Sequence, residues 1–133
     1  MGTFLQLCAA AALTFVAIDA MWLGTIANKL YKTQLGSLLR EQPQMLAAVL
    51  FYALFIVALV FFVVQPALAR NSWTYALCAG AFFGLVTYAT YDLTNLSTLK
   101  DWPVKITVID LIWGSVLSAV VSVATYHIGK WLA

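Results

Sequence analysis

The chain has 133 residues, of which 64% are hydrophobic and only 9% charged, and a mean hydropathy of +0.94. Soluble domains carry about a quarter of their residues as charges, so this is a membrane protein, and a net charge of +2 gives no surface for a nucleic acid or other polyanion. The long apolar stretches use almost the whole sequence, leaving no room for a soluble catalytic or nucleotide-binding domain.

Each of four stretches reaches the ~20 apolar residues a spanning helix needs. The expected fold is all-α: one integral-membrane four-helix bundle over residues 1–133, with short loops. The first helix is placed from Thr3 to Ile26. No Lys or Arg precedes it and no small-residue cleavage motif follows, so it does not read as a removable signal peptide. In the first connection Tyr31, Leu35, Leu38 and Leu39 recur at helical spacing among Lys32, Gln34, Arg40 and Glu41, the pattern of a short amphipathic helix lying in the membrane interface. The second helix runs from Met45 to Val64, where Gln65-Pro66 is expected to break it. The third runs from Trp73 to Leu96 and the fourth from Val104 to Trp131, with Trp73, Trp102 and Trp131 as interfacial anchors. Cys8 and Cys78 read as buried small hydrophobes rather than a disulfide.

Lys29, Lys32, Arg40, Lys100 and Lys105 lie at one membrane face and Arg70 and Lys130 at the other. Positive residues favour the cytoplasmic side, so both termini are expected outside.

Three of the five acids, Asp19, Asp92 and Asp110, fall within or at the edges of spanning segments. An ionised Asp at mid-helix costs about 2.5–3.5 kcal/mol on insertion scales, so the three need partners, water or protons. At 1.5 Å per residue they lie ~7–13 Å inside the Lys-rich face, all in the same membrane half. Gly80, Gly84, Tyr88, Tyr91, Asp92 and Asn95 form one stripe on the third helix, with a GxxxG that permits close helix approach. Asp110, Gly114, Ser118, Ser122 and Thr125 form another on the fourth, flanked by Trp113. On the first helix Phe15, Asp19, Trp22 and Ile26 share a face, and Tyr52 can approach from the second. The expected binding site is therefore Asp19, Trp22, Tyr52, Tyr88, Tyr91, Asp92, Asn95, Asp110 and Trp113, in which three like charges should leave at least one carboxyl protonated near neutral pH. The single histidine, His127, is far from the acids, and no phosphate loop, Ser-His pair or other cofactor motif is present. No metal and no cofactor are expected.

Asp19-Ala20-Met21-Trp22-Leu23-Gly24, Phe51-Tyr52, Pro66-Ala67-Leu68, Tyr88-Ala89-Thr90-Tyr91-Asp92-Leu93-Thr94-Asn95, Lys100-Asp101-Trp102-Pro103 and Asp110-Leu111-Ile112-Trp113-Gly114 resemble the small membrane proteins grouped as domain of unknown function 2177. The resemblance covers nearly the whole chain. It implies a bacterial four-helix inner-membrane protein without an assigned activity. Three functional readings follow. The first is a binding or transport protein for a small polar or cationic solute or protons, acting from the cytoplasmic side. Four short helices hardly enclose a pathway, so this reading includes a homo-oligomer, a dimer packed through Gly80 and Gly84 or through Gly114, Ser118 and Ser122. The second is a membrane enzyme or enzyme accessory acting on lipid headgroups, disfavoured because no nucleophile accompanies the acids. The third is a non-catalytic subunit whose aspartates pair with loop lysines or with a membrane partner.

Overall fold

A computed structural model describes residues 2–133 and is helical almost throughout. Four of its helices are long and apolar enough to cross a membrane: Gly2–Leu38, Met45–Ala69, Trp73–Thr98 and Val104–Leu132. The first is a continuous rod made of α1 (Gly2–Trp22), a π-helical turn (Leu23–Ala27), α2 (Asn28–Leu35) and a closing 3₁₀ turn (Gly36–Leu38). The amphipathic segment of the first connection is thus helical, but it grows directly out of the first span and ends at Gly36, whose φ of +52° suits a residue without Cβ.

The second span consists of α3 (Met45–Leu59), a π turn (Val60–Val64) and α4 (Gln65–Ala69). Pro66 therefore does not break it. A proline ring crowds the carbonyl four residues earlier and lacks the N–H of the ladder, and the wider π turn just before it relieves both problems. The connection to α5 (Trp73–Thr98) is tight. Asn71 takes a positive φ of 52°, and its side-chain oxygen accepts hydrogen bonds from Tyr126, at 3.3 Å, and from Lys130, tying this turn to the end of α6 (Val104–Leu132). Ser72 starts α5 by accepting from the Tyr75 N–H at 3.0 Å.

The closest packing is between the antiparallel α5 and α6. Gly80 lies against Ser118 and Ser122, Gly84 against Gly114 and Ser118, and Gly114 against the Tyr88 ring. Most of the expected stripes face protein, since Gly80, Gly84, Asp92, Asp110, Gly114, Ser118, Ser122 and Thr125 are all buried, but Tyr88 and Asn95 are half-buried and Tyr91 is exposed at the edge of the α5 stripe. The buried faces pack against each other, so they are not free to join two copies as the sequence suggested. Leu7, Ala11 and Phe15 of the first span, Phe55, Leu59, Val60 and Val64 of the second, and Leu117 and Val121 of α6 fill the core beyond them. Trp73 and Trp131 are exposed, as anchors would be, whereas Trp102 is buried, donates to Thr107 Oγ1 at 3.1 Å and packs edge-on against Tyr91. Trp102 fastens the loop before α6 to the protein instead of reaching the lipid. Cys8 and Cys78 are both free, and Cys78 is exposed.

Candidate functional site

Where the spans approach the Lys-rich end, the core gives way to a pocket of about 520 Å³. Seven of the nine residues expected from the sequence line it: Asp19, Trp22, Tyr52, Tyr88, Tyr91, Asp110 and Trp113. Asp19, half-buried on α1, accepts from the Tyr52 hydroxyl at 3.2 Å on one oxygen and from the Trp113 indole at 3.3 Å on the other. One carboxyl thereby joins three spans. Trp113 also stacks on Trp22, with ring centroids 4.4 Å apart and planes inclined by 12°. Stacking and hydrogen bonding hold the same indole, so this wall of the pocket is set before any ligand arrives.

Asp110, buried at the start of α6, accepts a hydrogen bond from the hydroxyl of Tyr31. Tyr31 also lines the pocket, as do Leu23, Phe51, Thr87 and Thr90; the sequence reading missed all five, and of these Tyr31 is the one that binds a carboxyl. A regular period of 3.6 carries the face of Phe15, Asp19 and Trp22 on to Ile26. The π turn adds about one residue to that step, so Ile26 is 62% exposed while Ala27 is fully buried. Tyr31 follows Ala27 by four residues and returns to the inner face. The signal available in the sequence was Tyr31 itself, at the centre of the amphipathic pattern, but its destination depended on that extra residue.

The two remaining expected residues do not line the pocket. Asp92 is wholly buried in the α5–α6 seam beside the Asp110 carboxyl, and no N–H or hydroxyl donor from the rest of the bundle reaches its oxygens. Asn95 lies half-buried one turn further along α5. The meeting of Asp92 with Asp110 follows from the helix register: in steps of four, 80 faces 122, 84 faces 118 and 88 faces 114, which leaves 92 opposite 110.

The partners found for Asp19 and Asp110 are phenols and an indole, and none is the loop lysine that a purely structural pairing would employ. Among the described residues no group of three or more His, Cys, Asp or Glu side chains is arranged to hold a metal ion. The arrangement is two carboxyls set into aromatic walls at one end of a membrane bundle. A family model described as a predicted membrane protein (DUF2177) matches residues 4–127. The chain belongs to that family. The matched residues include every residue that lines the pocket in this chain, Tyr31 among them. No curated protein and no solved structure matches the chain.

Proposed function

We propose that this membrane protein binds a small organic cation, of the substituted-ammonium class, in the pocket between Asp19 and Asp110. The observation that carries the reading is the Asp19 carboxyl fixed by Tyr52 and Trp113 beside the stacked Trp22–Trp113 pair. A weakly hydrated cation gains both from carboxylate charge and from the negative faces of aromatic rings, by about 0.5–2 kcal/mol per ring. A neutral polar solute uses only the first of these walls poorly, and an anion is repelled by it.

The pocket lies toward the end of the bundle rich in Lys and Arg, and the charge bias favours that end facing the cytoplasm, with both termini outside. A bacterial inner membrane is the location that the resemblance implies, and transport, if the bound cation crosses, calls for a second copy of the chain to complete the pathway. Since the small-residue stripes are spent within one chain, the homo-dimer uses the lipid-facing surfaces of the bundle.

The test is a titration of the purified protein in dodecyl maltoside micelles, followed by tryptophan fluorescence. Tetramethylammonium chloride is expected to produce a saturable change that sodium chloride at the same ionic strength does not. Asp19→Asn should weaken it by roughly tenfold or more, about 1.4 kcal/mol. Identical responses to the two salts, or an unchanged affinity in Asp19→Asn, sink the reading.

A further inference from the structure

The third acid takes no part in the pocket wall, yet it lies against one that does. Asp92 is fully buried, and no N–H or hydroxyl donor from the rest of the bundle reaches either of its oxygens. Its neighbour is the Asp110 carboxyl, set opposite it by the same register that places Gly84 against Gly114 and Ser118. Asp110 lines the pocket and Asp92 does not. The pair therefore straddles the pocket wall, with one carboxyl open to a ligand and the other sealed behind it.

Two carboxyls side by side and away from water do not persist with both ionised, and the arrangement that satisfies them is one proton held between the two. Nothing else around the pair neutralises it. The ionisable groups that face it are Tyr31 of α2, Tyr88 and Tyr91 of α5 and, across the pocket, Asp19 of α1 and Tyr52 of α3. No Lys or Arg is among them, and Lys29, Lys32, Lys100 and Lys105, the lysines of this end of the bundle, are all exposed. Tyr31 already donates to Asp110, so Asp110 is the acceptor within the pair and Asp92 the donor. A cation entering the pocket seeks the same carboxylate that holds this proton.

We propose that Asp92 and Asp110 form a proton site coupled to the pocket, and that a substituted ammonium ion bound beside Asp110 displaces the proton the two carboxyls share. This rests on the reading of the pocket as a cation site and adds the exchange. The O–H bond of Asp92 breaks, its electron pair stays on the carboxylate, and the proton passes by way of Asp110 to water at the pocket. Charge balances, because one positive charge leaves as another arrives. The bound cation then makes the second ionised carboxyl tolerable. Exchange without net charge suits a site inside a bilayer, where an uncompensated charge is costly.

The experiment repeats the tetramethylammonium titration in dodecyl maltoside micelles at a series of pH values around neutrality. A ligand that releases a proton must bind more tightly as pH rises. The affinity of the wild type is expected to increase about threefold to tenfold per pH unit, the slopes for half a proton and for one proton released per cation. Asp92→Asn keeps the shape of the neutral acid and donates an amide N–H to Asp110, but it has no proton to release, so its affinity should be flat over the same range. Any slope that arises elsewhere in the chain persists in this variant. Infrared difference spectroscopy reads the same event without a variant. The free wild type at neutral pH should show the C=O stretch of a protonated carboxylic acid, and saturating tetramethylammonium should remove it. A flat wild-type profile, a slope that Asp92→Asn retains, or an acid band that is absent from the free protein or survives saturation overturns the exchange and leaves the pocket intact. Failure of tetramethylammonium to bind the wild type at any pH overturns the pocket reading and this one with it.

Discussion

The seam between α5 and α6 sets the position of both buried acids, and Gly84→Ala tests it most directly. A methyl group on Gly84 would fall far inside van der Waals contact distance of the Gly114 carbonyl oxygen, and would lie only 2.5 Å from Ser118 Oγ and 2.7 Å from Ser118 Cβ. The serine hydroxyl can rotate away, but the carbonyl belongs to the backbone of a helix and can retreat only if α6 moves. A movement of about 1 Å forfeits a quarter to a half of the dispersion energy of the contacts it opens, and such packing is the principal force between helices in a bilayer. The expected cost is about 3 kcal/mol, the upper end of the range for overpacking. Gly80→Ala should cost less, about 1–2 kcal/mol, because its nearest obstacles are the Ser122 side chain at 2.6–2.8 Å and a carbonyl at 3.0 Å. Gly24, where nothing lies within 4 Å of an added methyl, should accept Ala without loss. The assay is unfolding by titration with sodium dodecyl sulfate from dodecyl maltoside micelles, monitored by circular dichroism. Gly84→Ala within about 0.5 kcal/mol of wild type, or indistinguishable from Gly24→Ala, would refute the close-packed seam.

Tyr31→Phe keeps the ring but removes the hydroxyl that Asp110 accepts, and in the same titration it should lose about 1.5–3 kcal/mol, as for a buried hydrogen bond to a carboxylate; a loss below about 0.5 kcal/mol would show that α2 does not depend on this bond. Asp92 is fully buried and its only carboxyl neighbour is Asp110, so Asp92→Leu should raise stability, by about 1 kcal/mol, and a loss of stability would mean that the contact between the two carboxyls outweighs the cost of burying Asp92. Mass measurement in mild detergent is expected to give a dimer, one that survives Gly80→Ala and Gly114→Ala variants that still fold; monomer alone contradicts the proposed pathway between two copies.

The number of spans and the inward faces of the third and fourth helices could be read from the sequence, for one reason: lipid imposes an apolar length on a helix, and a polar or small residue within that length is tolerated only against protein. Asp92, Asp110 and the Gly80–Gly84 stripe are visible in this way without knowledge of any neighbour. What a helix meets is a different matter. The sequence left Gly80 and Gly84 equally suited to a second copy of the chain, and only the antiparallel register of α5 and α6 gave them to Ser118, Ser122 and Gly114. Two local departures from the α-helix also escaped it. The π turn before Pro66 lets the second span continue through a residue that usually ends a helix, and the one after Trp22 shifts the inner face so that Ile26 turns outward and Tyr31 reaches Asp110. Each extra residue in those turns is paid for or rejected by packing elsewhere in the bundle, a term that hydrophobic periodicity within a single segment does not contain.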